Sequence, residues 1–192
     1  MTTAAGGRHS EGPRPHVAVV GAGAAGLAAA KALRAEHLRV TVFEQGPEPG
    51  GTWVLEPAVE AADLLGARSG RRGTHSSMYN GLRTNLPREL MGFSDFPFVA
   101  GAAGEGEGDA RRFCGHAEVK DYLQRFAARF DLHPLIRYEH EVLAAVPGRR
   151  GPSWEWSLDV RGPGGAVERH AFDALCVCNG HCEFSGEVGR PE

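Results

Sequence analysis

Three glycines near the N-terminus have the spacing of a phosphate-binding loop. Gly21, Gly23 and Gly26 follow a short apolar run in the pattern G-x-G-x-x-G. In such a loop the first glycine permits a tight turn, the second lets the backbone approach a pyrophosphate, and the third lets the helix pack on the strand. The phosphates would lie at the positive end of that helix. The candidate dinucleotide contacts in this loop are Gly21, Ala22, Gly23, Ala24, Ala25 and Gly26.

An acidic residue stands where the ribose of a dinucleotide is expected. Glu44 ends the next apolar run, 23 positions after Gly21. A carboxylate there accepts hydrogen bonds from ribose hydroxyls and repels a 2′-phosphate, so it favours the ADP half of FAD or NAD over NADP. The alternative interpretation is a glycine-rich packing turn with Glu44 as a surface acid. The glycine loop by itself does not separate FAD from NAD.

The cysteines raise the question of a metal site. Three of the four, Cys176, Cys178 and Cys182, lie in the stretch CVCNGHC beside His181, and the fourth is Cys114. The C-x-C spacing places two thiols on one face of a strand, and it lacks the paired C-x-x-C arrangement of structural zinc sites. We therefore predict a buried strand and no metal site. No Ser-His-Asp or Cys-His arrangement indicates nucleophilic catalysis.

The elements that would position the loop form a β-α-β unit. The run HVAVV predicts a buried strand, the alanine-rich stretch after Gly23 predicts a helix, and Leu38–Glu44 predicts the next strand. Another helix is predicted over 116–130. Its apolar face consists of Val119, Tyr122, Leu123, Phe126 and Phe130.

Further strands are predicted in the second half of the chain. Residues 135–146 predict one strand with a kink near Glu139. Residues 154–160 and 166–175 flank the turn RGPGG and predict a β-hairpin, and 174–180 predict a last parallel strand. The fold class is therefore α/β: a Rossmann-like FAD- or NAD(P)-binding domain with a parallel sheet and a β-hairpin or meander.

Composition excludes several classes of protein. The 192 residues suffice for one domain with a real core, and the net charge of −3 gives no basic footprint for nucleic acid or a membrane surface. No segment approaches the roughly 20 apolar residues of a membrane span. We expect a cytoplasmic protein with a disordered N-terminus over 1–15, a binding domain over 16–182 and a tail over 183–192.

A second glycine pair follows the β-α-β unit in the stretch EPGGTW. With it, the chain resembles the N-terminal part of the flavin-containing monooxygenase family, close to its plant and algal S-oxygenase-like branch. The resemblance extends from about His16 to His181. It is carried by the stretches VVGAGAAGLAAAKAL, VFEQ, GGTW, SSMYNGLRTNLPRELMGFSDFPF, YLQRFAARF and VCNGH.

The resemblance implies a role for individual residues. The glycine loop would hold the FAD pyrophosphate and Glu44 the adenosine ribose. The remaining implied contacts are Gly51, Thr52 and Trp53 on the flavin side of FAD, Thr84 and Asn85 at the isoalloxazine ring, and Val142 at the adenine.

Asn85 is the candidate catalytic residue, because its amide offers a donor and an acceptor to the flavin edge and would protect an oxygen adduct there. Alternatively, Asn85 is only a turn residue before Leu86-Pro87. Trp53 could likewise be an ordinary aromatic residue of the core.

The same stretch carries further predictions. FSDFPF is interpreted as packing, with Phe93, Phe96 and Phe98 buried and Asp95 as a capping residue. Arg83 and Arg88 each have two interpretations, an ion-paired surface residue or a contact to a cofactor phosphate.

The resemblance also implies an activity. In the family, NADPH reduces FAD, and the reduced flavin reacts with O2 to a C4a-hydroperoxyflavin that oxygenates a small sulfur or nitrogen nucleophile. Family members are more than twice as long and carry an NADPH-binding domain with its own glycine loop, which these 192 residues lack. We therefore expect a fragment that is incomplete relative to the family. The alternatives are an NAD-dependent dehydrogenase and a non-catalytic remnant, and the oligomeric state stays open.

Overall fold

The protein is described by a computed structural model over residues 14–55, 78–101 and 108–180, and these residues form two sheets and three α-helices. The first sheet is parallel and has the order β3-β2-β1-β7, and the second is antiparallel with the order β4-β5-β6. In chain order the elements are β1 His16–Val20, α1 Ala24–Ala35, β2 Arg39–Phe43, a 3₁₀ turn Gly51–Trp53, α2 Arg88–Met91, α3 His116–Arg129, a 3₁₀ turn His133–Leu135, β3 Ile136–Arg137, β4 Glu141–Arg150, β5 Ser153–Arg161, β6 Val167–Phe172 and β7 Ala174–Val177.

The predicted β-α-β unit is confirmed. Strand β1 pairs in parallel with β2 on one side and with β7 on the other. Because α1 connects two parallel strands, it must cross over one face of the sheet. Leu27 and Ala30 on α1 are both fully buried against that face.

The parallel sheet is the middle of three layers. Val19 and Val42 face α1 and α3, whose buried side chains include Tyr122, Leu123 and Phe126. The opposite face carries a second cluster, in which the β1 and β2 residues meet β5 and β6. That cluster contains Ala18, Phe43, Leu158, Val160 and Phe172. Burial on both faces explains why β1 is apolar at every position after His16.

The predicted strand over 135–146 is wrong as a single strand, although its kink is at the predicted residue. Glu139 has a φ of 57°, a left-handed conformation that a strand does not continue through. The break separates β3, which ends the parallel sheet, from β4, which begins the antiparallel one. The hairpin is confirmed between β5 and β6, but β6 ends at Phe172 and the chain crosses into the parallel sheet as β7.

Asp95 is not a capping residue, because no helix begins in the residues directly after it. Its carboxylate forms an ion pair with Lys31 on α1 instead. Phe98 is buried as predicted, whereas Phe93 and Phe96 are only partly buried against the first cluster. None of the helices within the described ranges has the length and apolar character needed to cross a lipid bilayer.

Candidate active site

The glycine loop is built by close backbone contacts that leave no room for side chains. Gly21 has a φ of 95°, and a Cβ on it would lie 2.6 Å from the carbonyl oxygen of Cys178. A Cβ on Gly26 would overlap the carbonyl oxygen of Gly21. The first glycine therefore makes the turn beside β7, and the third lets α1 approach the loop, as the spacing predicts.

Glu44 lies under this loop and is only 5% exposed. Its Oε2 accepts a hydrogen bond from the backbone N–H of Ala22 at 2.6 Å, and its Oε1 accepts one from the N–H of Gly46 at 2.8 Å. Since a carboxylate oxygen accepts more than one hydrogen bond, both oxygens keep capacity for a ligand hydroxyl. The interpretation of Glu44 as a surface acid is wrong.

The second glycine pair is packed directly on the first loop. The N–H of Gly50 donates to the carbonyl of Ala22 at 3.1 Å. Gly51 has a φ of 55°, and a Cβ on it would lie 2.9 Å from the Cα of Gly23. The two glycine turns therefore touch through backbone atoms alone, which leaves their peptide groups open to one shared space.

A clamp from α3 holds the second turn in place. Glu48 accepts hydrogen bonds from the ammonium group of Lys120 at 3.1 Å and from the side-chain amide of Gln124 at 2.5 Å. Gly50 also faces the Lys120 stem, whose Cγ would be 3.3 Å from an added Cβ. Helix α3 thus fixes the position of Gly51–Trp53 relative to α1.

These elements enclose a cleft of about 610 Å³ at the carboxyl ends of the parallel strands. Parallel sheets of this kind bind their ligands at that edge. The cleft is lined by Val20, Gly21, Gly23, Ala24, Ala25, Phe43, Glu44, Gln45, Gly50, Gly51, Thr52, Trp53, His140, Glu141, Val142, Val177, Cys178, Asn179 and Gly180.

The charged end of the cleft is acidic. Glu44 and Glu141 both line it, so a phosphate on a bound ribose would be repelled there. Beside them, His140 donates from Nδ1 to the carbonyl of Tyr138 at 2.6 Å. Burial, with a smaller contribution from the charge of Glu44, raises the pKa of Tyr138 to about 12, so its phenol stays protonated.

Most predicted contact residues line this cleft, including Val142 on β4 and Trp53. The indole of Trp53 is half-buried and also packs against the first core cluster, so both interpretations of this residue describe part of its environment. Ala22 and Gly26 lie behind the lining, where they are buried. The role of each predicted residue toward a cofactor stays a prediction.

Thr84 and Asn85 are placed differently, because neither lines the cleft. The Thr84 N–H donates to the carbonyl of Cys114 at 2.9 Å. Its buried Oγ1 has no hydrogen-bond partner among the residues that the structure describes. Asn85 is exposed in a bend before Pro87, which agrees with the turn interpretation of its position.

Arg88 holds the segment that carries Thr84 and Asn85. It is 1% exposed, so it is neither a surface residue nor free to reach a phosphate. Its guanidinium donates to the carbonyl of Arg111 at 2.8 Å and to that of Asp109, and it lies 3.4 Å from the carboxylate of Glu118. The Asp109 N–H in turn donates to Glu118 at 2.7 Å.

Several cleft residues were not predicted. Cys178, Asn179 and Gly180 follow β7, and the rule that ligands bind beyond the carboxyl ends of parallel strands was a signal that would have found them. His140 and Glu141 had no such signal, because the chain reaches the cleft there only through the break at Glu139.

Two cysteine thiols lie next to each other at this edge of the sheet. The Sγ atoms of Cys176 and Cys178 are 3.5 Å apart. Within residues 14–55, 78–101 and 108–180, no group of three or more His, Cys, Asp and Glu side chains is arranged to hold a metal ion. His181 and Cys182 lie outside these residues.

Comparison with known proteins identifies the family. The sequence profile of the flavin-binding monooxygenase-like family matches residues 14–186. The chain belongs to this family. The Rossmann-like fold predicted for the family is confirmed by the solved structure of an S-allyl-L-cysteine S-oxygenase from Allium sativum, which superposes with a TM-score of 0.77 at 45% identity.

Other family members are similar over the same part. The flavin-containing monooxygenase FMO GS-OX-like 6 of Arabidopsis thaliana is 48% identical over 166 residues. A steroid monooxygenase solved with bound NADP is 25% identical, with a TM-score of 0.59. The chain is covered to 86% by the Arabidopsis relative and to 88% by both structures, but it spans only 35%, 37% and 26% of their respective lengths.

Proposed function

We propose that this chain supplies the FAD-binding half-site of a flavin-dependent monooxygenase that uses NADPH and O2 to oxygenate a small sulfur or nitrogen nucleophile. The observation that carries the proposal is the cleft between the two glycine turns, closed at one end by the buried Glu44. Membership of the flavin-binding monooxygenase-like family supports FAD as the occupant.

The residues of the cleft fit the ADP part of FAD. The first N–H groups of a helix have no partner within the helix, and Gly23, at the N-cap of α1, has no side chain with which to cap them. They would therefore donate to the pyrophosphate, whose charge the helix dipole also favours. A Cβ on Gly21 would collide with the Cys178 carbonyl and one on Gly51 with the Cα of Gly23, so only glycine lets the two turns come this close beside the cleft.

Glu44 would bind the adenosine ribose with the lone pairs that Ala22 and Gly46 leave unused. Its negative charge and that of Glu141 select a 2′-hydroxyl over a 2′-phosphate. This arrangement supports FAD as the occupant of the cleft, and we propose that NADPH binds at a different site.

The flavin end involves the other predicted residues. When bound, FAD would accept a hydride and activate oxygen. We propose that Trp53 forms an apolar wall beside the flavin and that Thr84 and Asn85 approach its ring. Membership of the flavin-binding monooxygenase-like family supports this assignment. Asn85 would then hold the flavin edge and exclude water from it.

The substrate is proposed from the relative. The Allium sativum protein of 45% identity is described as an oxygenase of S-allyl-L-cysteine, so an S-alkyl thioether is the substrate class we propose. A cytoplasmic location stays a prediction.

The proposal is tested first by cofactor content. The purified and desalted chain is expected to show the absorption bands of a flavin, and chromatography of the released compound should identify FAD at close to one per chain. Gly164→Ala serves as a control, because nothing lies within 4 Å of that position. A colourless chain that also fails to bind added FAD would contradict the proposal, and bound NAD would favour the dehydrogenase alternative instead.

Activity is tested in a chimera. Residues 14–180 replace the matching part of the Arabidopsis relative, with which the chain is 48% identical. We expect the chimera to oxidise NADPH in the presence of an S-alkyl cysteine and to form the sulfoxide. A chimera that binds FAD and NADPH but produces only hydrogen peroxide would contradict the thioether assignment.

A further inference from the structure

The pair Cys176–Cys178 has no part in the proposed function, yet it lies at the edge of the cleft. Cys176 on β7 and Cys178 just after that strand both pack against the first core cluster, because residues two apart in extended backbone point to the same side. Both side chains are only partly buried, and Cys178 lines the cleft. Two neighbouring thiols that a solute can reach can bind one central atom together.

The distance between the sulfurs limits what the pair can bind. With bonds of about 2.3 Å to a central atom, as for thiolates on zinc, two sulfurs held 3.5 Å apart enclose an angle of about 100° at that atom. This angle suits a pyramidal or tetrahedral centre and not the linear geometry of a two-coordinate cation. A tetrahedral metal needs two further ligands, whereas a pyramidal centre that already carries one substituent needs only these two sulfurs.

We propose that Cys176 and Cys178 form a dithiol site for trivalent organoarsenicals. A trivalent arsenic atom with one carbon substituent is pyramidal and needs only two sulfurs to complete its bonds. In the reaction R–As=O + 2 R′SH → R–As(SR′)2 + H2O, two S–H bonds break, two As–S bonds form, and the oxygen leaves as water. Arsenic stays trivalent, so no oxidant or reductant is required.

The exchange needs only the two adjacent thiols and no oxidant. Burial, and then the neighbouring Cys176 thiol, raise the pKa of Cys178 to about 11. The proton of the Cys178 thiol leaves in the water that the arsenical releases, so the completed exchange leaves no charge on the sulfurs. The chelate closes on two sulfurs that are already adjacent, so little conformational freedom is lost.

Occupancy of the site would disturb the cleft. The Cys178 N–H donates to the carbonyl of Val20 at 2.8 Å, and the Cys178 carbonyl touches Gly21 so closely that a Cβ there would be 2.6 Å away. The Cys178 Cβ would likewise lie 3.6 Å from a Cβ on Gly26. An arsenical on these sulfurs must therefore move the end of β7 or project into the space beside the glycine loop.

The test uses phenylarsine oxide on the full 192-residue chain, followed by intact mass spectrometry under native conditions. We expect one phenylarsenic adduct per chain, which a dithiol such as 2,3-dimercaptopropanol removes and a monothiol at the same concentration does not. The adduct should be lost in Cys176→Ser and in Cys178→Ser. It should persist in the control variants Cys114→Ser and Cys182→Ser.

Three outcomes would overturn the site: an unmodified wild-type chain, an adduct that survives in either Cys176→Ser or Cys178→Ser, or its loss in Cys182→Ser. Thermal melts of the four variants exclude misfolding as the cause.

The effect on the cleft, which rests on the proposed function, is measured separately by ADP titration. Arsenical treatment should weaken ADP binding at least tenfold in the wild type and leave it unchanged in Cys178→Ser. Unchanged ADP affinity of the adduct would overturn the link to the cleft. Failure of the untreated chain to bind ADP would instead contradict the proposed function, and the mass measurement is unaffected by it.

Discussion

The two parts of the predicted cofactor site differ in how they are held. The part that would bind ADP is built from backbone contacts among Gly21, Gly23, Gly51 and the buried Glu44, and it encloses a cleft. The part that would meet the flavin ring, Thr84 and Asn85, lies outside the lining and is held by the buried side chain of Arg88. The ADP part depends on glycines, which lack side chains, and on the Glu44 carboxylate. The flavin part depends on the large side chain of Arg88.

The largest expected effect is on the glycine loop. Gly21→Ala combines a φ of 95° with a contact of 2.6 Å to the Cys178 carbonyl. The conformation alone costs about 1–2 kcal/mol for an L-residue. We expect ADP and FAD affinity to fall by at least about 100-fold, which corresponds to about 2.7 kcal/mol.

Isothermal titration with ADP measures this loss. Gly164→Ala is the matched control, because its added Cβ meets no atom within 4 Å. Equal affinities of the two variants would show that the loop does not form the ADP half-site.

The next effect is on the buried acid. In Glu44→Gln the amide nitrogen would face one of the two N–H donors of Ala22 and Gly46. An unsatisfied buried donor costs about 1–3 kcal/mol, so both the free energy of unfolding and the ADP affinity should fall, the latter by about tenfold. Urea unfolding and ADP titration measure the two quantities.

The control for the buried acid is Glu141→Gln. Glu141 also lines the cleft, but it is exposed and pairs with Arg161 at 2.8 Å. Exposed ion pairs contribute about 0–1 kcal/mol, so its ADP affinity should change by less than about threefold. If ADP affinity fell more in Glu141→Gln than in Glu44→Gln, Glu141 and not Glu44 would be the ribose contact.

Arg88→Met tests whether the ADP part and the flavin part of the site are independent of each other. It removes the donors to the Arg111 and Asp109 carbonyls and leaves Glu118 without its partner. We expect the free energy of unfolding to fall by about 2–4 kcal/mol and hydrogen exchange at residues 82–86 to increase. ADP affinity should stay within about threefold of wild type, because none of the side-chain hydrogen-bond partners of Arg88 among the described residues lines the cleft.

The exposed Arg112, which pairs with Glu89 at 3.2 Å, is the matched control for Arg88. Arg112→Met should cost less than about 1 kcal/mol. Loss of ADP binding in Arg88→Met under conditions where it remains folded would show that the two half-sites are coupled.

The smallest effect is expected at Asn85. Because Asn85 is exposed, Asn85→Ala should change the free energy of unfolding by less than about 0.5 kcal/mol. Loss of one hydrogen bond to the flavin would lower FAD affinity about threefold, or about 0.7 kcal/mol, while ADP affinity stays constant. The ratio of the two affinities is the measurement, and an unchanged ratio would leave Asn85 as a turn residue only.

The glycine turn and the buried acid beside it could be predicted from the sequence because they are local, whereas their binding of ADP stays a prediction. Gly21, Gly23, Gly26 and Glu44 lie in one β-α-β unit, where strand, turn and helix each have a clear pattern. The apolar face of α3 was predicted for the same reason.

The missed features depend on contacts between distant segments. Nothing near Arg88 in the sequence indicates that the carbonyls of Asp109 and Arg111 will surround it. Likewise, a run of strand-forming residues gives no sign that Glu139 will adopt a φ of 57° and send the chain into a second sheet.

The pairing of β1 with β7 has a consequence for how the protein folds. The N–H of His16 donates to the carboxylate of Asp173 across 157 residues of sequence. The parallel sheet is therefore complete only after β7 has been synthesised and has paired with β1. Contacts so distant along the chain form slowly, because the loop between them must close first. During synthesis, β1 therefore emerges before β7 with an unpaired edge, which is prone to aggregation, and the cleft is among the last features to form.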